Sequence, residues 1–246
     1  TIISWRDIWF YISILVLITL PLTSFLLIKK LKLDTRENSS EEKKIKNINI
    51  KQWTRSEVLK DYRFYIISLN MLSMPSIATG VFIYQSFILT SKNWGPFIMA
   101  QSFMVYSILS VITLFISGFL IDKYTSRKLL IYMNIPIFIS SIVLYLFDSP
   151  YSSFVFLGLI GITNGFANVL GSSTWAEIYG VKYIGSIKAL TSGLMVFATA
   201  AGTAIFGILI DAGYTINSIA VFSAVYIAII VLLLFFFKNK IEPIYL

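Results

Sequence analysis

The chain has no cysteine and no histidine. Without thiolate or imidazole it can build no disulfide framework, no zinc finger, no His-ligated haem or zinc site and no thiol nucleophile. Charge is also scarce: 13% of the 246 residues are Asp, Glu, Lys or Arg, against about 25% in an ordinary soluble domain. The missing polar residues are replaced by apolar ones, 57% of the chain, and the mean hydropathy is +0.80. No acidic pair falls inside the apolar runs, so neither a nucleophile–base pair nor an acid–base couple is in view. An enzyme is not expected, nor are a cofactor, a metal site or a catalytic residue.

The apolar residues fall into seven blocks, about 8–28, 64–89, 96–121, 129–147, 153–174, 187–210 and 217–237. A helix needs about 20 residues to cross a bilayer. Every backbone amide in lipid must be bonded within its own segment, so the blocks are read as helices. The expected fold class is an all-α polytopic membrane protein with seven transmembrane helices. Thr1 rather than Met begins the sequence, which is read as a fragment or processed product. The first block is too long and wrongly flanked for a signal peptide.

Of the twenty Lys and Arg residues, only Arg6 and Lys92 fall outside 29–63, 122–128, 175–188 and the C-terminus. Those four segments lie on one side if the helices alternate. The positive-inside rule makes that side cytoplasmic and places Thr1 outside. The net charge of +8 is therefore a topology signal, and no nucleic-acid partner is expected. The lipid bilayer is the expected surrounding. Residues 29–63, rich in Lys, Glu, Asn and Ser, read as a cytoplasmic linker. Residues 53–63 are compatible with a short interfacial helix. The expected organisation is 1–28, 29–63, 64–237 as a six-helix bundle, and a tail over 238–246.

An internal repeat accompanies this pattern. Gly118 and Asp122 close the third block, and Gly207 and Asp211 close the sixth. By the charge rule the two pairs lie at opposite faces, as a 3+3 repeat of inverted topology requires.

The blocks have no charged residue in their interiors, so polar function must rest on amides, hydroxyls and aromatic rings. In the fifth block Gly161, Asn164, Gly165, Asn168, Gly171 and Ser172 share a face. Gly161 and Gly165 form a small-xxx-small pair suited to close helix approach. The two Asn residues are read either as interhelix packing groups or as a solute-facing wall. In the second block Asn70, Ser73, Met74, Ile77 and Tyr84 share a face, Gln85 lies at its margin, and Pro75 is expected to kink the helix. The third block carries Tyr106 on a hydroxyl stripe, with Gln101 off it. Asn70, Tyr84, Gln85, Gln101, Tyr106, Asn164 and Asn168 are thus the substrate-cavity candidates. Gly161, Gly165, Gly202 and Gly207 are the helix-packing candidates. The fourth and seventh blocks, nearly all apolar, are expected to face lipid.

Residues 118–128, GFLIDKYTSRK, resemble the loop signature of the major facilitator superfamily. Gly118, Leu120, Asp122, Arg127 and Lys128 match in type and position. Lys123 stands where Arg is usual, and Thr125 where Gly is usual. Residues 175–190, WAEIYGVKYIGSIKAL, are similar to the segment after the tenth helix in bacterial members, and Ser4-Trp5-Arg6 resembles the lead into the sixth helix. The resemblance implies the C-terminal half of a twelve-helix carrier, helices six to twelve. It would work by alternating access with an N-terminal bundle as partner, in a bacterial inner (plasma) membrane.

The cast is similar to the monocarboxylate and oxalate/formate branch. The cation usual in that branch's eighth or eleventh helix is missing, so an anionic substrate is not carried over. The implied solute is small, transported by symport or antiport with a co-transported ion, or by uniport. Gly118, Asp122, Lys123, Arg127, Lys128 and Glu177 are read as a cytoplasmic gate. The alternatives are an inactive half-carrier and a seven-helix receptor.

Overall fold

The computed structural model describes residues 5–34 and 50–245, with side chains over 6–26 in the first stretch. Ser4 and the linker residues 35–49 lie outside the described residues. The chain divides into two units, Thr1–Asn49 and Ile50–Leu246. The first contains a single helix, α1 (Trp5–Asp34), with Pro21 inside it.

The second unit opens with a short helix, α2 (Arg55–Lys60). Thr54 and Glu57 close a reciprocal capping box at its start: the Thr54 N–H and hydroxyl both donate to Glu57 Oε2 at 2.8 Å. Asp61 caps the next helix, α3 (Tyr62–Ile83), by accepting the Arg63 N–H at 3.0 Å. Then follow α4 (Gln85–Lys92), α5 (Pro96–Tyr124), α6 (Ser126–Leu129), α7 (Ile135–Leu146), α8 (Ser152–Tyr179), α9 (Ile184–Asp211) and α10 (Ile216–Phe237). The ends are punctuated chemically. Pro96 opens α5, where no N–H partner is needed. Gly180 ends α8 at φ 82°, and Thr215 caps α10.

Among the described residues, six helices are long and apolar enough to cross a membrane. The fourth expected block departs from this. Its helix covers only Ile135–Leu146, and turns occupy 130–134. Pro136 supplies the reason: it has no N–H for the Tyr132 carbonyl, and its ring crowds that turn. Pro75, by contrast, leaves α3 continuous, and the interruption falls at Tyr84 instead. α5, α8 and α9 outrun their apolar blocks. Lys188 thus lies a turn inside α9, and Asp122 and Lys123 lie on α5.

The packing is reciprocal. α5 pairs most extensively with α8, and α3 with α9, while α7 lies against both α8 and α10. α10 also lies against α3, so exchanging α3 for α8, α5 for α9 and α7 for α10 maps these pairings onto one another. That is the contact pattern of a 3+3 repeat.

Glycines set the closest approaches. A Cβ on Gly161 would collide with the Tyr106 carbonyl, and one on Gly165 would lie 2.6 Å from the Ser110 carbonyl. Gly202 lies against the Ser76 backbone, and Gly207 against the Tyr84 hydroxyl. These small residues let backbones meet where lipid offers no hydrophobic gain for association.

The second unit begins at Ile50, inside the segment expected to be linker. Ile50 forms an antiparallel bridge with Tyr245, Lys51 N–H donates to the Ile244 carbonyl at 2.8 Å, and Trp53 N–H to the Tyr179 carbonyl at 3.0 Å. Residues 50–53 and the tail are therefore part of the folded unit. The interfacial helix expected over 53–63 is helical from Arg55 to Lys60.

Candidate functional site

The charged loops of the second unit meet at one end. Glu177, near the end of α8, ties α8 to α6. Its Oε2 accepts the Ser126 N–H at 2.9 Å, the Ser126 hydroxyl at 2.5 Å and the Arg127 N–H at 3.3 Å. Its Oε1 pairs with the Arg127 Nε at 3.2 Å, and Arg127 Nη1 lies 3.3 Å from Glu242 of the tail. Of the expected gate residues, Arg127 and Glu177 are thus brought together. Asp122 and Lys128 are exposed and make no ion pair among the described residues. Lys123 lies over the Tyr124 ring at 5.2 Å. Gly118 has open space where a Cβ would stand.

Thr125, at the position where the resembled motif carries Gly, sits at φ 69°. A β-branched residue rarely adopts that region, so the turn that delivers Ser126 and Arg127 to Glu177 is strained.

A second cluster beside it has no counterpart among the residues singled out from the sequence. Asp61 and Arg63 are both over nine-tenths buried. Asp61 Oδ2 accepts from Arg63 Nε at 2.8 Å and lies 2.7 Å from Nη2, and it also accepts the Tyr179 hydroxyl at 3.1 Å. Arg63 Nη1 donates to the Glu242 carbonyl at 2.5 Å. The Arg63 guanidinium stacks over Trp53, 5.2 Å from its ring centroid. Each residue type is ordinary in a loop, and only the fold brings 61, 63, 179 and 242 together. On the rim, hydrogen bonds from the Thr54 N–H, Lys51 and the Thr54 hydroxyl hold the Glu57 carboxyl down to about 2. At the other end Lys92 pairs with Asp148 at 2.6 Å, and the Trp94 indole N–H donates to the Asp148 carbonyl at 2.8 Å.

Within the spans the cavity candidates separate. Asn70 is fully buried, and its amide is engaged in packing. Its Nδ2 donates to the Leu130 carbonyl at 3.1 Å, and Asn134 Nδ2 donates to its carbonyl at 2.7 Å and its Oδ1 at 3.0 Å. Asn134 and Ser140, in the block expected to face lipid, turn inward. Ser73, Met74 and Ile77, on the Asn70 face, are also buried, and Met74 lines the recess described below. Tyr106 packs against Phe82 and Phe103. Tyr84 stacks on Phe206. Gln85 is half-buried, and Gln101 is exposed and off the recess described below.

The glycine–asparagine face of α8 splits in two. Gly161, Gly165 and the Asn164 Nδ2, which donates to Ser110 Oγ at 2.8 Å, turn to α5. Asn164, Asn168 and Gly171 also line a recess of about 140 Å³ between α3, α8 and α9. Ser68, Met71, Met74, Trp175 and Met195 complete much of its wall. Of these, Met74 lay on the Asn70 face picked out by helical spacing. Ser68 and Met71 fall on the α3 face beside the one that carries Asn70. A larger, nearly apolar groove of about 360 Å³ runs between α3, α9 and α10.

Long apolar helices in reciprocal packing, charge gathered at the ends and a recess between spans define a polytopic helical membrane protein. Residues 1–193 match the family model described as Major Facilitator Superfamily, and the chain belongs to that family. It is a membrane transporter of the major facilitator type. No curated protein gave a significant match.

Proposed function

We propose that the chain moves a small solute across the membrane by alternating access, as the C-terminal half of a twelve-helix carrier whose N-terminal bundle closes the other side of the path. The basic end then faces the cytoplasm, by the distribution of Lys and Arg. The observation that carries the reading is the Glu177 carboxylate. It joins the two segments that resemble the family's motifs, binding Ser126 and Arg127 of the loop signature from the end of α8. A contact of this kind biases a two-state equilibrium by the difference in its strength between the states. Asp122, Lys123 and Lys128 are left exposed beside it, available to the partner bundle. The resemblance to bacterial members supports placement in an inner (plasma) membrane.

The recess supports the reading by offering a solute wall between spans, in the half of the helices nearer the basic end. No carboxylate lies on it, so ion coupling, as symport or antiport, would draw on groups elsewhere in the carrier.

The test is uptake of a labelled solute panel by liposomes holding the full-length protein, with and without proton or sodium gradients. Accumulation above equilibrium supports secondary active transport, and equilibration alone supports uniport. No uptake with a well-folded protein removes the reading in favour of an inactive half-carrier.

A further inference from the structure

We propose that the recess between α3, α8 and α9 is the subsite for an uncharged, hydrogen-bond-donating group of the solute, borne on an apolar body. This rests on the transport reading above.

Ser68 is 6% exposed, and its Oγ is buried with no hydrogen-bond partner among the described residues. Serines inside these helices normally return the hydroxyl to the carbonyl four residues back, as Ser73, Ser102 and Ser107 do. Ser68 does not, and a buried hydroxyl left unpaired is unfavourable until something pairs with it.

Asn168 supplies the second half of the argument. Its Nδ2 donates to the Asn164 backbone carbonyl at 2.9 Å. A carbonyl can only accept, so this contact fixes the amide orientation; the Oδ1 of this exposed side chain has no partner among the described residues. The Asn164 Nδ2 is likewise engaged, by Ser110. The Thr191 hydroxyl donates to the Lys188 carbonyl at 3.1 Å. The recess therefore presents acceptor oxygens, which select a ligand N–H or O–H, and one uncommitted hydroxyl, which can donate to an acceptor on the same polar group.

The remaining features set the rest of the class. No Asp, Glu, Lys or Arg lines the recess, so an ionised group would enter unpaired, at a high desolvation cost. Met71, Met74, Met195 and the Trp175 ring form adaptable apolar walls. The volume is about 140 Å³, below the roughly 300–1,000 Å³ that encloses a drug-sized ligand. It takes one group of the solute, not the whole of a large one.

The full-length protein in lipid nanodiscs is titrated with tritiated 3-phenylpropanamide, its N,N-dimethyl amide and 3-phenylpropanoate. The three share one body and differ in donor and charge. The amide is expected to bind saturably, with each of the others about tenfold weaker, the loss expected for one hydrogen bond. Ser68→Ala and Asn168→Ala are each expected to weaken amide binding by a similar factor without changing the melting temperature. No saturable amide binding overturns the proposal, as does equal or tighter binding of either other probe.

A second measurement covers variants that fold poorly. Gly171 lines the recess with open space at its Cβ, and this chain has no cysteine; in a full-length protein with any cysteine outside this chain replaced, modification of Gly171→Cys by a small thiosulfonate should slow with the amide and not with the carboxylate. Unprotected modification also overturns the proposal. Gradient-driven uptake separates the two readings. The expected binding pattern without uptake keeps the subsite and removes transport. Uptake insensitive to Ser68→Ala and Asn168→Ala removes the subsite and keeps transport.

Discussion

Glu177 and Arg127 face each other at 3.2 Å, and the same carboxylate takes the backbone N–H of the residue before Arg127. One side chain near the end of α8 thus anchors the start of α6. Glu177→Gln keeps the shape but removes the charge from these bonds. Charge-assisted hydrogen bonds contribute about 1.5–3 kcal/mol, less here because both partners keep about a fifth of their exposure. The expected outcome is a shift of about tenfold in the balance of inward- and outward-open forms. Thiol accessibility of engineered cysteines on the two faces measures it. Unchanged accessibility and uptake would show that the pair is only an anchor.

Thr125 carries strain that the family's usual residue avoids. Its φ of 69° costs a β-branched residue on the order of 1–3 kcal/mol. Thr125→Gly relieves that, against the greater unfolded-state entropy of glycine of about 0.5–1 kcal/mol. A net gain of about 1 kcal/mol is expected, read as a raised melting temperature in detergent. A lowered one would mean that the turn relaxes in the folded protein.

Asn70 and Asn134 form a buried amide clasp between α3 and the start of α7. Asn70→Leu takes the Nδ2 donor from the Leu130 carbonyl and one of the two acceptors from the Asn134 amide, which keeps the backbone carbonyl of residue 70. A loss of about 1–3 kcal/mol in stability is expected, seen by thermal denaturation. Solute affinity of the folded fraction should stay as it was. Asn168→Leu should do the reverse, lowering affinity and sparing stability. Asn164→Leu should disturb both, because its amide reaches α5 as well as the recess.

Asp61 and Arg63 are a buried pair, and removing one partner strands the other charge. Asp61→Ala is expected to cost about 3–5 kcal/mol, enough to abolish purification as a monodisperse species. Tyr179→Phe removes one hydrogen bond to Asp61 and should cost about 0.5–1.5 kcal/mol. If Asp61→Ala is as mild as Tyr179→Phe, Arg63 has found another partner.

Glu57 sets a pH dependence at the rim. Its carboxyl is lowered from 4.5 to about 2 by the capping box and Lys51. A lowered folded-state value means that the contribution is fully present above 4.5 and lost as pH falls through about 2. Fluorescence of Trp53, which the Lys51 ammonium overlies at 4.2 Å, should change in that window in the native protein. In Glu57→Gln the transition should vanish.

Much of the fold was legible because it follows from local chemistry. Apolar length, Pro96, Gly180 and the Thr54–Glu57 box act within a few residues, and the helices end near them. Where expectation and structure differ, the cause is partly local. Pro136 shortens the fourth helix, whereas Pro75 does not break α3. For the site, spacing placed Asn70 and Asn168 on polar faces but gave no means of telling them apart. A polar face seeks a partner, and Asn134 waits across from Asn70, whereas nothing in this unit meets the Asn168 oxygen. Ser68 drew no attention because serine mid-helix is ordinary until its hydroxyl is seen to lack a partner.

By itself the sequence determined that the chain lives in a membrane and where its apolar segments fall. Those properties are sums over residues and need no contacts. The tertiary structure decided which polar groups are consumed in packing and which stay open, and that 61, 63, 179 and 242 form one buried cluster. These depend on residues up to 179 positions apart meeting within hydrogen-bond distance, and only the packed helices set such distances.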